Sequence, residues 1–259
     1  MATNSIVVDH VSKRFTLRYH RTFKQMTVAL ARRQEVSDTF WALDDVAFTV
    51  EQGESVGLMG LNGSGKSTLL KLVNGVMRPD RGKVLTRGRI AGLIATSAGF
   101  HPQLTGRENI FINAAINGMS EAETNRKFDE IVEFADIGRF LETPVGHYSS
   151  GMSARLGFAV AVSVDSDIFL ADEVLAVGDK PFKRKCMERM QEIRKEGRTI
   201  FYVSHAPGSV RKMCDRVIVL EQGKVGYDGD VDTGIKYLQY DEPRGTEEDN
   251  VDDELGADI

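Results

Sequence analysis

The 259 residues read as an α/β fold in which a parallel β-sheet is covered by helices on both faces. Short apolar runs of strand length recur at residues 55–59, 168–171, 199–203 and 216–220. Helix-like stretches separate them, and strands alternating with helices argue for parallel pairing. The most informative stretch is Gly60-Leu61-Asn62-Gly63-Ser64-Gly65-Lys66-Ser67-Thr68, which follows the first run directly. After it come Leu69, Leu70, Lys71, Leu72, Val73 and Asn74, a helix-like run closed by Gly75. Strand, glycine loop and helix in that order are the context of a phosphate-binding loop.

The glycines let backbone N–H groups point inward at phosphate oxygens, and the helix N-terminus adds partial positive charge. Lys66 reaches the β- and γ-phosphates, and the Ser67 hydroxyl ligates Mg²⁺. A nucleoside triphosphate is therefore expected on Gly60, Asn62, Gly63, Ser64, Gly65, Lys66, Ser67 and Thr68.

Hydrophobic residues at 41% allow a substantial core. The net charge of −5 is unevenly spread. Residues 241–259 hold nine Asp/Glu and one Arg, so residues 1–240 are mildly basic, with 32 Lys/Arg and 29 Asp/Glu. No apolar run approaches the length of a membrane-spanning helix, and the N-terminus shows no basic-then-apolar targeting segment. Cys186 and Cys214 lack metal-ligand spacing and read as reduced thiols of a cytoplasmic protein.

Taken in order, residues 6–11 form a first strand ending in Ser12-Lys13-Arg14-Phe15, and residues 43–50 a second. Between them Phe23, Met26 and Leu30 recur at helical spacing, with Arg21, Lys24, Arg32 and Arg33 on other faces. Two readings fit: a solvated surface helix, or a basic amphipathic element facing a membrane or a membrane-bound partner. Residues 83–86 and 90–94 are strands around the turn at Arg87-Gly88. Residues 106–143 carry apolar positions at helical spacing, broken by Gly118 and by the capping signal Ser120-Glu121-Ala122-Glu123. An all-helical insert of this length suggests a subdomain. Residues 154–161 form an apolar helix starting near Ser153, and residues 183–195 a charged one. The site belongs at the carboxyl ends of the strands. The acidic tail is expected to be disordered.

Strand 168–171 ends in Asp172-Glu173. Adjacent acids at the end of a buried strand call for a partner cation, because unpaired interior charge is costly. Asp172 is the candidate for a second Mg²⁺ contact through a water, and Glu173 for the group that orients or deprotonates an attacking water. Helix capping by the two acids is the plainer alternative. His205, after strand 199–203, is placed to hydrogen-bond the γ-phosphate, or serves as a structural histidine. Tyr148-Ser149-Ser150-Gly151-Met152 makes a second anion-binding helix start. It either grips a nucleotide held by another copy or caps its own helix through Ser149 or Ser150.

From residue 6 to about 238 the order of these elements resembles the ABC transporter ATPases. Residues 148–156, 100–109 (Phe-His-Pro-Gln-Leu-Thr-Gly-Arg-Glu-Asn) and 174–179 (Val-Leu-Ala-Val-Gly-Asp) are similar to the subgroup serving polysaccharide export: O-antigen, capsule, teichoic acid and cell-wall galactan. The resemblance implies a P-loop NTPase of ABC type, with a mixed sheet, flanking helices, an antiparallel β part and an α-helical subdomain. One nucleotide-binding domain would span 1–240, with a gate-helix insertion at about 18–38, a helical subdomain at about 100–160 and a tail at 241–259.

The resemblance also implies a head-to-tail homodimer. Ser149, Ser150 and Gly151 of one copy would close over ATP and Mg²⁺ on the other, with Asp179 at the interface and Phe15 or Trp41 stacking on adenine. Two copies of an integral membrane permease would bind near Thr96 to Leu104, and a lipid-linked polysaccharide would cross the inner membrane from its cytoplasmic face. The glutamine usual in the coupling loop is absent, its place falling at Ala95 or Thr96. Ser150 and Met152 replace the commoner glycine and glutamine. A nutrient-importer ATPase shares the same core, but the stretches 148–155 and 174–179 argue against it. A soluble ABC ATPase acting on DNA or ribosomes would need a second cassette or a coiled coil, and no basic, aromatic-rich patch points to nucleic acid.

Overall fold

The computed structural model describes residues 3–18, 37–93, 99–172 and 179–238. In chain order, β1 (Asn4–Arg18), β2 (Ser37–Glu51), β3 (Ser55–Met59), α1 (Lys66–Val73), β4 (Arg81–Thr86) and β5 (Ile90–Leu93) come first. Three helices follow, α2 (Gly106–Ile116), α3 (Glu121–Ala135) and α4 (Ser150–Val162). The rest is β6 (Ile168–Ala171), α5 (Lys180–Lys195), β7 (Thr199–Val203), α6 (Pro207–Met213), β8 (Arg216–Glu221), β9 (Lys224–Gly229) and α7 (Val231–Tyr237).

Strands β2-β1-β4 form an antiparallel three-stranded sheet, and β5-β6-β7-β3-β8-β9 a six-stranded one. The pairs from β5 through β8 are parallel, as alternation with helices predicts, but β9 runs antiparallel to β8. The second sheet is thus mixed. The turn responsible is Gln222-Gly223, with φ of 46° and 81°, the left-handed pair of a two-residue hairpin. Strand β9 alternates exposed and half-buried residues, so it carries no apolar run that would announce it.

Several boundaries differ from the sequence reading. β1 and β2 extend beyond their apolar cores as a two-stranded hairpin reaching the pair Arg18↔Ser37. Arg18, Ser37 and Asp38, expected in the amphipathic insertion, are strand residues held by backbone pairing. Phe23, Met26 and Leu30 lie outside the described residues. Helix α4 starts at Ser150 rather than near Ser153, because Ser149 caps it. Helix α5 starts at Lys180, with a proline in its first turn.

Period-two alternation divides the central strands between two cores. Phe169, Ala171, Ile200, Tyr202, Val217 and Val219 face α2 to α7. Ile168, Leu170, Phe201, Val203, Ile218 and Leu220 face α1 and the antiparallel sheet. Rings Phe48 of β2 and Phe201 of β7 stack across that second core, 5.9 Å apart and within 6° of parallel. The helices are well started. Thr105 and Glu108 make a reciprocal capping box on α2, and Ser120 caps α3. Arg89, at the entry to β5, fastens the helices to the sheet by reaching Glu123 at 3.1 Å and the Asn117 carbonyl at 3.4 Å.

Because Phe201 is fully buried between the two sheets, Phe201→Ala is expected to cost about 3–5 kcal/mol. A urea titration followed by circular dichroism reads this as a lower midpoint with an unchanged slope.

Candidate active site

Strands β6, β7 and β3 are parallel neighbours, so their carboxyl ends lie side by side. They deliver Asp172, Ser204-His205 and the loop that opens at Gly60 to one edge of the sheet. The loop turns through left-handed glycines, with φ of 146° at Gly60, 82° at Gly63 and 109° at Gly65. A side chain at Gly60 would strike the Leu220 carbonyl, and one at Gly65 would come within 2.5 Å of the Ala42 carbonyl oxygen. The end of β8 and the middle of β2 therefore back the loop directly. The β8–β9 turn adds a third support: Gly223 donates its N–H to the Ser64 carbonyl at 3.0 Å and accepts from Asp44 N–H at 2.8 Å.

Lys66 is only 7% exposed. Its ammonium donates to the Gly60 and Leu61 carbonyls at 2.7 and 3.0 Å. Burial lowers its pKa, and the Asp172 carboxylate opposes that shift. Burial raises the Asp172 pKa against the opposing charges of Lys66, His205 and Lys71. His205 is lowered from 6.5 by burial and by Lys66, with Asp172 acting the other way. Three residues far apart in sequence thus share one electrostatic environment. Burial and the Lys66 charge favour the neutral imidazole of His205.

Asn62 and Gly63 are exposed at the loop's crest, while Gly60 and Ser64 are buried beneath it. Gly65 occupies the N-cap of α1 and offers no side-chain cap, so the helix start is left to other acceptors. Ser67 is exposed there, with Thr68 half-buried behind it. Among the described residues no cluster of three His, Cys, Asp or Glu could hold a metal by itself. The Ser67 hydroxyl and the Asp172 carboxylate are hard oxygen donors, a set that suits Mg²⁺ completed by phosphates and water.

The two aromatic candidates differ in company. Phe15 lies 6.0 Å from the ring of Phe40, with the Lys13 ammonium 6.0 Å from its centroid. The Trp41 ring meets Arg81 at 5.0 Å and Arg14 at 5.9 Å. Ala42, the next residue, is the one packed against Gly65. Glu173 lies outside the described residues, as do Ala95 and Thr96.

Ser149, Ser150 and Gly151 sit at the start of α4, on the helical layer. Ser149 caps α4 by accepting the Met152 N–H at 3.2 Å, and both serines are exposed. Asp179, at the N-cap of α5, accepts from Arg155 at 2.6 Å. Arg155 also reaches Asp136 at 3.3 Å and lies 5.0 Å from the Phe182 ring centroid. Sequence reasoning passed over Arg155, although a lone cation in an apolar helix was a visible signal. It also missed the Gly223 support, which depends on a hairpin with no hydrophobic signature.

His205 is expected to titrate below 6.5 in an NMR pH titration, whereas His10, paired with Asp45 at 2.8 Å, titrates above it. Lys66→Met removes one of the causes lowering the His205 pKa and should move its midpoint upward. An unmoved midpoint would place the two groups out of electrostatic reach.

A family profile described as ABC transporter matches residues 43–176. The chain is 43% identical over 221 residues to the O-antigen export system ATP-binding protein RfbB of Klebsiella pneumoniae, covering 84% of this chain and 90% of the relative. It is 42% identical over 216 residues to the teichoic acids export ATP-binding protein TagH of Listeria monocytogenes serotype 4b, covering 83% of this chain and 64% of that longer protein. Among solved structures, its fold is similar to the dimeric post-hydrolysis state of the ATP-binding cassette MJ0796 bound to ADP and Pi. That match has a TM-score of 0.69 at 23% identity, covering 87% of this chain and 98% of the other. The chain belongs to the ABC transporter family.

Proposed function

We propose that this chain is the ATPase subunit of an exporter that moves a lipid-linked polysaccharide across the inner membrane. The observation that carries the ATPase part is the convergence of Lys66, Asp172 and His205 on the glycine loop at the ends of three adjacent strands. Similarity to RfbB and TagH supports the polysaccharide as cargo. The ATP phosphates lie against the N-terminus of α1, with Lys66 turning from the loop carbonyls to the β- and γ-phosphates. Phe15 is the adenine platform, since Trp41 already carries two guanidinium groups. Bound Mg²⁺, on Ser67 and Asp172, would offset phosphate charge. Glu173 orients the attacking water and accepts its proton. Neutral His205 hydrogen-bonds the γ-phosphate and keeps that geometry. Positioning and charge stabilisation, rather than covalent chemistry, supply the rate.

Two copies pair head to tail, so that Ser149 and Gly151 of each close over the ATP of the other, with Asp179 at the interface. Exposure of both serines at a helix start supports this arrangement, because it leaves them open to an outside anion. Residues 1–240 act as one nucleotide-binding domain, with a helical subdomain at about 100–160. Two permease copies contact the segment around Thr96 to Leu104, and the subunit sits peripherally on the cytoplasmic side. No helix among the described residues is long and apolar enough to cross a membrane.

Lys66→Ala removes a charge-assisted phosphate contact and should weaken ATP binding about 100-fold in equilibrium dialysis. Glu173→Gln in the native host should abolish turnover while ATP still binds, and polyprenyl-linked polysaccharide should accumulate in membrane lipids analysed by mass spectrometry. Unchanged lipid-linked glycans alongside lost ATPase activity would sink the export reading and leave the ATPase intact.

A further inference from the structure

Tyr148 stands at the junction of two segments that are sewn together by backbone hydrogen bonds. Residues 101–107 lead into α2, and residues 141–148 lead into α4. Gly106 N–H donates to the Thr143 carbonyl at 3.2 Å, and Arg107 N–H to that of Leu141 at 3.1 Å. Val145 N–H donates to Leu104 at 2.9 Å, and Gly146 N–H to Pro102 at 2.8 Å. At the end of this seam the Tyr148 hydroxyl donates to the Phe140 carbonyl at 2.7 Å. The ring packs so closely over the first residue of α2 that a Cβ at Gly106 would fall on the Tyr148 hydroxyl, far inside van der Waals contact. The next residue along the chain is Ser149, the cap of α4.

We propose that Tyr148 is a positioning residue for ATP hydrolysis, fixing the start of α4, and with it Ser149 and Gly151, against the start of α2. The inference rests on the reading that Ser149 and Gly151 close over ATP held by a second copy. A helix start that stabilises a γ-phosphate must be held within a fraction of an ångström, because its donors act on charge that develops only in the transition state. Ser149 alone does not supply this. Its side-chain oxygen accepts the Met152 N–H, so it moves with the helix it caps. Beyond Gly146, where the backbone seam ends, that helix end is located by the Tyr148 hydroxyl on one side and the close fit to Gly106 on the other. Any displacement of residues 101–107 therefore passes to Ser149 through a rigid aromatic ring rather than through a flexible connection.

The test uses the full chain, with steady-state ATPase and ATP affinity measured side by side. Tyr148→Phe keeps the ring and removes only the hydroxyl. It should lower kcat about tenfold, the effect of about 1.4 kcal/mol on a barrier, while the Kd for ATP and the melting temperature stay near wild type. Gly106→Ala should lower kcat similarly by driving the ring off its seat. The double variant should be no worse than Gly106→Ala alone, since losing the hydroxyl removes the shortest contact of the new methyl and leaves it the Leu141 carbonyl oxygen at 3.1 Å and the ring Cζ at 3.3 Å. Wild-type kcat for Tyr148→Phe, with Ser149→Ala impaired, would overturn the positioning role and leave the two-copy reading standing. Additive losses in the double variant would also overturn it. If Ser149→Ala itself turns over like wild type, the reading on which the inference rests is what fails.

Discussion

A lysine ammonium almost withdrawn from water is the constraint on which the architecture depends. Lys66 is compensated by two loop carbonyls and faced by Asp172, and each partner requires a different part of the fold. The carbonyls of Gly60 and Leu61 can point at the ammonium only because the loop bends through left-handed glycines. Those bends are possible only because nothing larger than hydrogen separates Gly60 from Leu220, or Gly65 from Ala42. The loop is thus clamped between the end of a parallel strand and the middle of an antiparallel one. Neither sheet alone would hold it. The stacked pair Phe48–Phe201 and the core around it keep the two sheets at the separation the loop needs.

Burial pushes all three ionisable groups at the site towards their neutral forms, raising Asp172 and lowering Lys66 and His205. Their mutual attractions oppose that tendency for Lys66 and Asp172. For His205 burial and the Lys66 charge act together against Asp172, and the balance favours the uncharged imidazole. A bound triphosphate would add negative charge beside Lys66 and restore the preference for its protonated form. The site is therefore arranged so that its cation gains most when a polyanion is present.

The helical layer answers to different interactions. Arg89 ties it to the sheet through Glu123 and the Asn117 carbonyl, and Arg155 ties α4 to both Asp136 and Asp179. The backbone seam between residues 101–107 and 141–146 makes the starts of α2 and α4 a single unit. Few apolar contacts are needed to transmit a displacement across such a unit, because hydrogen bonds of fixed geometry define it. Ser149 and Gly151 lie at its edge, apart from the Lys66 group.

Much was legible before any coordinates. The G-x-x-x-x-G-K-S loop, the four apolar strand runs, the Ser120 cap and the carboxylate of Asp172 at the end of its strand all rest on local chemistry, and a local pattern is present in the sequence itself. The order of the motifs was enough to indicate the family. Strand β9 and its turn were not legible, because a half-exposed strand takes its identity from the neighbour it pairs with. The hairpin extension to Arg18 and Ser37 was hidden for the same reason: backbone pairing, not side-chain hydrophobicity, makes those residues strand. The sequence by itself therefore determined where the glycine loop and its flanking strand and helix lie, and which faces are buried. Folding decided who stands beside whom: Asp172 and His205 beside Lys66, Gly223 beneath Ser64, Arg155 on Asp179, Tyr148 over Gly106. Those adjacencies come from strand order and helix packing, and long-range contacts of that kind leave no periodic signal along the chain.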